Sequence, residues 1–357
     1  ETVRILWSQP FRLLYTCNYQ NRICGEEKRK LQAENLLLTY LSCALYYQHN
    51  EELVNIISKP VTKPLFNYVQ FLQNLDLHEF FTAIRDCTES KRSEHEDEAD
   101  DYNDFINILC KLFMNHSTGL CKLSIDVDCI TRGVRERACE SLQSKNLCNY
   151  YQTITKSIGS NNCLSQLTEL IMPSGSVNKT ELLSALIPVS RNLKKIVVRV
   201  DYRVYHWCYN GRIAERPYVE QEAISLAGLI MAQKSLVYLG LCSCAEGLEY
   251  LLASIESQAD TLKYLSFERV YFYDLDLFKH MAPLRNLEQI QFNHCTFEPK
   301  NDSKPFLYES RFPKLVKLEM RWSSGADYVV EILRSAANGC LNVETEPHNS
   351  IFDLEYW

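Results

Sequence analysis

Two cysteine-containing motifs are the parts of this chain whose residue types could support catalysis or metal binding. His294 stands next to Cys295, a pairing of a base with a thiol nucleophile. Cys242 and Cys244 are separated by one residue, but no second cysteine pair follows at the spacing of a zinc site. Adjacent residues of a strand point to opposite faces, so a strand through His294 and Cys295 separates the two side chains. Neither motif predicts a reaction.

Other signs of catalysis are also missing from the sequence. Asp274 and Asp276 flank a predicted helix start, where carboxylates are favoured by the helix dipole. The chain has no G-x-G-x-x-G, P-loop, H-E-x-x-H or G-x-S-x-G motif, and its 11 glycines argue against phosphate-binding loops. We therefore predict a protein that is not an enzyme and that needs no cofactor or metal.

The cysteines fall instead within a repeated pattern. Each copy has apolar residues at positions one, four and six, and the copies begin at Leu236, Leu262, Leu287 and Leu315. Two of the four have a cysteine at position nine, Cys244 and Cys295, while Val270 and Ser323 depart from the pattern there. A weaker copy begins at Leu341. This is the L-x-x-L-x-L-x-x-N/C pattern, with a period of 25 to 28 residues, that is typical of leucine-rich repeats. The position-nine side chain is expected in the turn after a strand, where it can bond exposed backbone.

Less regular copies precede these, beginning at Leu120, Leu167 and Leu193. From Leu193 to Leu236 the interval is 43 residues, which implies an insertion at about 202–217. This insertion contains Tyr205, Trp207 and Arg212, residue types that dominate the energetics of many interfaces. It is either a further contact for a partner or a loop that packs on itself.

The pattern between the predicted strands has helical spacing. Residues 248–255 and 328–337 each place apolar side chains on one helix face. One strand and one helix cannot close a core alone, so such units must stack. We expect an α/β fold, a right-handed leucine-rich-repeat solenoid similar to ribonuclease inhibitor, with parallel strands on its concave face.

The chain before the repeats has a different character. Helices are predicted at 31–47, 66–87 and 105–113, separated at 89–101 by an acidic loop without enough apolar residues to order it. We therefore divide the chain into an all-helical segment at 1–115 and a repeat domain at 116–357.

Composition limits the partners. The net charge is −7 without a basic block, which disfavours nucleic-acid binding, and no apolar run of 18 residues predicts a membrane span. The 15 cysteines are scattered, as expected for reduced thiols of a cytoplasmic or nuclear protein. Residue 1 is Glu, so we expect the chain to be a piece of a longer protein.

A protein-binding surface is the function that this fold offers. Positions three, five and seven of each strand point to the concave face, where polar and aromatic side chains suit protein recognition. The candidate contacts are Lys195, Arg199, Tyr238, Tyr264, Glu268, Gln289, Gln291, Asn293, Lys317, Glu319 and Arg321.

Two short segments resemble a known family. Residues 1–11, with Ile5-Leu6-Trp7 and Pro10-Phe11, resemble the segment that follows the F-box in fungal F-box/leucine-rich-repeat proteins, and residues 63–68 resemble part of the helical linker in that family. The resemblance implies the substrate-recognition part of an SCF-type ubiquitin ligase. The F-box, through which the family binds a Skp-type adaptor and a cullin, is truncated from this chain to its last residue. The alternative is a repeat scaffold or inhibitor-like binding protein without a ubiquitin role.

Overall fold

The computed structural model divides the chain into two compact units, Glu1–Ser190 and Arg191–Trp357. Each unit combines helices with parallel strands, so the predicted α/β class is confirmed. The boundary predicted at residue 115 lies inside the first unit. None of the helices in the described part of the chain is long and apolar enough to cross a membrane. The structure describes residues 7–11, 26–48, 63–89, 99–125, 162–173, 179–200, 219–244, 247–272, 277–297, 312–337 and 341–346.

In the first unit, helices pack around a cluster of buried aromatic rings. These helices are α1 (Glu26–Gln48), α2 (Leu77–Glu89) and α3 (Ala99–His116). They contribute Tyr40, Phe80 and Phe113, whose rings contact edge to face. Phe11 is 1% exposed and lies within 6.1 Å of all three rings, centroid to centroid. Aromatic contacts of this kind fix the start of the described chain onto the helices.

The prediction of a helix across 66–87 is wrong in its first part. A 3₁₀ turn at Tyr68–Phe71 and a strand, β1 (Asn74–Asp76), precede α2. Leu72, Leu75 and Leu77 are all buried at the spacing of positions one, four and six of a repeat, whereas the helical prediction follows Phe71 and Leu75, which are four residues apart. Backbone pairing of β1 decides for the strand, so residues 1–115 are not all-helical.

The predicted acidic loop at 89–101 is also shorter than expected. Glu89 belongs to α2, and Ala99 to Asp101 belong to α3. At each end of the predicted loop, a helix with an apolar face continues for one turn or less. Apolar periodicity alone does not give the exact end of a helix. Residues 90–98 lie outside the described part of the chain.

The strands of the first unit are parallel and share one hydrogen-bond pattern. β1 pairs with β2 (Lys122–Ser124), β2 pairs with β3 (Glu169–Met172), and α4 (Thr180–Val189) follows β3. The Cys121 and Lys122 N–H groups both donate to the Gln73 carbonyl, and the same pattern recurs one repeat later. At the start, the Ser8 carbonyl accepts the N–H groups of Gln73 and Asn74 at 3.1 and 3.0 Å. The Ser8 carbonyl thus accepts the two hydrogen bonds that the position-two carbonyl of a preceding repeat would accept.

The second unit has a longer series of parallel strands. They pair in the order β4 (Lys195–Arg199), β5 (Tyr238–Cys242), β6 (Tyr264–Glu268), β8 (Gln289–Asn293), β10 (Lys317–Arg321) and β11 (Asn342–Glu346). From β4 to β10 the register joins each position of the pattern to the same position in the next copy. At β11, Lys317 of position three pairs with Asn342, which is position two of the weak copy predicted from Leu341, so that copy was predicted one residue out of register. Positions four and six of β4 to β10 are buried, which confirms the predicted strands.

Helices alternate with these strands. They are α5 (Val219–Met231), α6 (Leu248–Ile255), α7 (Leu277–Met281) and α8 (Ala326–Ala336), so the helices predicted at 248–255 and 328–337 are confirmed within two residues. Two short strands, β7 (Tyr271–Phe272) and β9 (Thr296–Phe297), form a second parallel pair. Between these elements lie two stacked pairs of buried rings, which meet each other edge to face: Phe267 with Phe292, and Phe272 with Phe297.

Position nine has the structural role predicted for it at two repeats. The buried Cys295 thiol donates to the Phe267 carbonyl at 3.5 Å. The Ser323 hydroxyl donates to the Arg321 carbonyl at 3.0 Å and accepts the Cys295 N–H at 3.1 Å. A serine therefore replaces the cysteine there without losing the bond to the turn.

Candidate protein-interaction face

The strand register of the second unit arranges the predicted binding residues in rows. All eleven lie on one face of β4 to β10, the face opposite the buried positions four and six. We call this the accessible sheet face. Since neighbouring strands lie about 4.8 Å apart, each five-residue row is about 19 Å long. Row three is Lys195, Tyr238, Tyr264, Gln289 and Lys317; row five is Val197, Gly240, Ser266, Gln291 and Glu319; row seven is Arg199, Cys242, Glu268, Asn293 and Arg321.

Row three begins with a cation and two stacked rings. Lys195 Nζ lies 5.0 Å from the centroid of the Tyr238 ring. The Tyr238 and Tyr264 rings stack at 6.4 Å with an angle of 29° between their planes. Burial raises the pKa of Tyr238, and the Tyr264 hydroxyl donates to Glu288 at 3.3 Å. Both rings are half-buried and held in place, which suits a preformed contact surface.

Gly240 explains how the Tyr238 ring lies close to its strand. A Cβ atom at this glycine would lie 3.3 Å from both Tyr238 Cε1 and a Val197 methyl group. Any other residue would push one of these neighbours away. The glycine at position five is therefore part of the aromatic platform, although it contributes no side chain.

The far end of the face is organised by a buried carboxylate. Glu319 is 6% exposed, and it accepts hydrogen bonds from Gln289 Nε2 at 2.9 Å and Lys317 Nζ at 2.6 Å. Arg321 Nη2 is 3.5 Å from its other oxygen. The hydrogen bond to Glu319, followed by one to Glu344, raises the pKa of Lys317. Glu319 therefore holds two half-buried cations, Lys317 and Arg321, in position, while its predicted contact with a partner stays a prediction.

Row seven contains buried polar atoms that no described residue satisfies. Arg199 Nη2 lies 3.9 Å from Glu268 Oε1, across Cys242, which is 8% exposed. Arg199 Nε and Asn293 Oδ1 are buried and have no hydrogen-bond partner within the described ranges. Buried polar atoms without a partner are rare in native proteins, so another part of the chain, water or a ligand is expected to complete these hydrogen bonds.

The thiols on or near the face are poor nucleophiles. Burial raises the pKa of Cys242 and of Cys295 to about 12. The His294 ring stacks on Trp322 at 4.8 Å. At neutral pH the thiolate at Cys295 is therefore negligible, and the arrangement does not support a cysteine–histidine mechanism.

Alkylation rates should show the low reactivity of these thiols directly. Treating the folded chain with iodoacetamide at pH 8 should modify the half-buried Cys121 at least tenfold faster than Cys242 or Cys295, because the last two are buried and protonated. Peptide-resolved mass spectrometry over time measures the rates. Modification of Cys295 as fast as Cys121 would contradict the assignment of Cys295 as a buried, protonated thiol. In urea, which unfolds the chain, the thiols should react at equal rates, and this serves as the control.

Some predicted contacts cannot be placed. Tyr205, Trp207 and Arg212 of the insertion, and the Asp274 and Asp276 pair, lie outside the described residues. In the described part of the chain, no group of three or more His, Cys, Asp or Glu side chains is arranged to hold a metal ion.

The structure also adds a repeat that sequence reasoning missed. Gln73 and Asn74 make the ladder bonds of positions two and three, so this copy begins at Leu72. Its position-five residue, Asp76, accepts the backbone N–H groups of His78 at 2.9 Å and Glu79 at 3.3 Å, and so caps α2. The L-x-x-L-x-L spacing at Leu72, Leu75 and Leu77 was the signal that could have found it.

Comparison with known proteins assigns no family. No protein-family model matches the chain, and no curated protein matches it. The fold and the face described above are therefore the basis for a functional assignment.

Proposed function

We propose that this chain is a leucine-rich-repeat protein-interaction module that binds a protein partner on the accessible sheet face. The observation that carries this proposal is the in-register arrangement of the rows, which joins side chains from five strands into one continuous surface. Each repeat supplies one strand and, at several repeats, one helix. Such units bury a core only by stacking, and parallel crossover connections are right-handed. We infer a right-handed solenoid similar to ribonuclease inhibitor, with this face on its concave side.

The chemistry of the face favours a protein over a nucleic acid. It combines the Tyr238 and Tyr264 rings, three side-chain amides and charges of both signs. Aromatic residues and arginine are enriched at protein interfaces, whereas a phosphate backbone requires a surplus of positive charge. The chain as a whole carries a net charge of −7, which opposes that surplus.

The wider proposal is that the module is the substrate-recognition part of an F-box/leucine-rich-repeat receptor of an SCF-type ubiquitin ligase. Its support is the resemblance at residues 1–11, together with the structural role of that segment. Trp7 stacks on Tyr68 at 4.2 Å, Phe11 fills the aromatic core, and Ser8 begins the hydrogen-bond ladder. In this proposal the repeats hold the protein substrate in the cytoplasm or nucleus. A Skp-type adaptor and a cullin bind only through an F-box, and no residue of this chain is assigned to them.

Affinity capture distinguishes the receptor from the alternative, a repeat scaffold or inhibitor-like protein without a ubiquitin role. The baits are the product of the complete gene and the 357-residue chain, read by quantitative mass spectrometry. The receptor proposal predicts adaptor and cullin with the complete product only, and further partners shared by both baits. Shared partners without ligase subunits from either bait would contradict it and favour the scaffold.

A further inference from the structure

The parallel strands of the second unit end at β11, and no described strand pairs with its outer edge. Every earlier strand of this unit offers the backbone groups of positions two and eight to the strand that follows. The Lys263 carbonyl, at position two, accepts the Gln289 N–H at 3.0 Å. The Arg269 N–H, at position eight, donates to the Asn293 carbonyl at 2.8 Å. Alternate residues of a strand therefore serve its two neighbours: even positions bond the following strand and odd positions the preceding one.

The register of β11 shows which of its backbone groups lie at the open edge. Lys317, at position three, pairs with Asn342, so Val343 and Thr345 occupy positions four and six. The N–H and C=O groups of these two residues therefore point away from β10. They present two donors and two acceptors along about 7 Å of backbone. Unpaired strand edges of this kind are templates for the addition of another strand.

The side chains of β11 are also incompletely covered. Leu318 and Met320, at positions four and six of β10, are buried. Their register partners are less so, because Val343 is half-buried and Thr345 is exposed. The side of the sheet that is buried in the earlier strands thus becomes accessible at β11. An added strand with apolar residues at its own even positions would cover Val343.

The sequence after β11 limits what this edge can bind. At position eight of each earlier strand of the unit, a backbone N–H bonds the strand that follows, as from Trp322 to the Glu346 carbonyl at 3.0 Å. The residue after Glu346 is Pro347, which has no N–H to donate. β11 therefore offers the bonds of strand pairing without the turn bond that joins complete repeats. A short separate strand fits this edge better than a further repeat does.

Charge at the edge favours a basic strand. β11 contains two carboxylates and no cation, and β10 and β11 together place two cations against three carboxylates on the accessible side. All described residues from 312 to 346 carry four basic and five acidic side chains, so the excess remains negative. Lys317 Nζ lies 3.2 Å from Glu344 Oε2, yet the Glu344 side chain stays 48% exposed. Basic residues at odd positions of an added strand would lie directly beside Glu344 and Glu346, where opposite charges attract across strands. A second copy paired through the same edge would instead bring these glutamates together.

We propose that the outer edge of β11 binds a short parallel strand of a partner protein, basic on the accessible side and apolar on the other. The odd positions of this strand bond the N–H and C=O groups of Val343 and Thr345. This is an interaction site in addition to the accessible sheet face, and it depends on backbone pairing rather than on the Tyr238 and Tyr264 rings.

The test uses the full chain and short fluorescein-labelled peptides, with Kd measured by fluorescence anisotropy. The first peptide alternates Lys with Val, and the second carries Glu in place of Lys. Two further peptides have the sequence of the first but are N-methylated, one at every Lys and the other at every Val. In the proposed arrangement the Lys N–H groups bond β11 and the Val N–H groups point away. We therefore expect the Glu peptide and the Lys-methylated peptide to bind at least tenfold more weakly than the first, and the Val-methylated peptide to bind equally well. The methylated pair has the charge of the first peptide, so non-specific attraction to the acidic chain is controlled.

Variants of the chain locate the site. Thr345→Pro removes an N–H of the open edge but no bond to β10, and an edge strand tolerates proline there. It should weaken binding of the first peptide at least tenfold. Glu344→Gln should weaken binding measurably, whereas Glu331→Gln, an equal charge change on helix α8, should not.

Two results would overturn the inference: equal binding of the two methylated peptides, or an unchanged Kd in Thr345→Pro. A dimer of the unmodified chain that Thr345→Pro converts to a monomer would also overturn it, because a second copy would then occupy the edge. Tyr238→Ala with Tyr264→Ala should leave the peptide Kd unchanged. This keeps the test independent of the accessible sheet face, and a tenfold loss in that variant would count against binding at β11.

Discussion

Replacing Phe292 by alanine is expected to lower the free energy of unfolding by about 3–5 kcal/mol, the usual range for truncating a buried aromatic core residue. Phe292 is fully buried at position six of its repeat. Its ring stacks on Phe267 at 5.4 Å and meets Phe297 edge-on at 5.1 Å. Truncation removes these contacts and leaves a cavity between repeats that the stacked strands cannot close. Urea denaturation followed by circular dichroism measures the loss.

The matched control is Val316→Ala, because Val316 lies in the same unit and is 60% exposed. It should change the unfolding free energy by no more than about 0.5 kcal/mol. Equal losses in the two variants would contradict the placement of Phe292 in the core. Since each repeat packs mainly on its neighbours, the Phe292 variant should also lose hydrogen-exchange protection first at β8 and the adjoining strands.

Gly325→Ala is expected to lower the unfolding free energy by about 2–4 kcal/mol, for two reasons that add. Gly325 has a φ of 71°, where a Cβ atom is strained. A Cβ atom there would also lie 2.6 Å from the Phe297 carbonyl oxygen, and a backbone atom cannot move aside without disturbing the aromatic cluster. The glycine therefore allows α8 to begin directly against β9. Thermal and urea unfolding measure the effect.

Gly119→Ala is the control for this prediction. A Cβ atom at Gly119 would have no neighbour within 4 Å, so the substitution should be nearly neutral. A Gly325→Ala protein as stable as Gly119→Ala would show that the close approach of Gly325 to Phe297 is absent in solution.

The strands of the second unit were predictable because their signal is local and repeated. Apolar residues at positions one, four and six indicate which residues are buried, and alignment of the copies at these positions gives the register. Helix α6 was predictable for the same reason, since Leu248, Leu251, Leu252 and Ile255 satisfy only a helical period. These features determine the fold class and the composition of the accessible sheet face.

Features that depend on neighbouring chain segments could not be predicted. A single L-x-x-L-x-L match at Leu72, Leu75 and Leu77 competes with the helical spacing of Phe71 and Leu75, and pairing with β2 decides for the strand. Alternation places Glu319 on the accessible side, but Gln289 on the neighbouring strand β8 and Lys317 on its own strand bury it. The left-handed backbone at position eight has no sequence signal, because the residues there are not the glycine or asparagine that would indicate it; they are Ser243, Arg269, His294 and Trp322.

The central claim, that the accessible sheet face binds a protein partner, is tested most directly by comparing two double variants of this chain in quantitative affinity capture. The first, Tyr238→Ala with Tyr264→Ala, removes the aromatic platform of row three. The second, Ile224→Ala with Met231→Ala, truncates exposed apolar side chains of helix α5 and is the matched control. Both should remain folded, which thermal unfolding verifies.

We predict that the tyrosine variant recovers the partners of the unmodified chain at least tenfold less well, a loss of about 1.4 kcal/mol in binding free energy, while the α5 variant recovers them fully. Full recovery by the tyrosine variant, with loss in the α5 variant, would contradict the claim and move the binding surface to the helices.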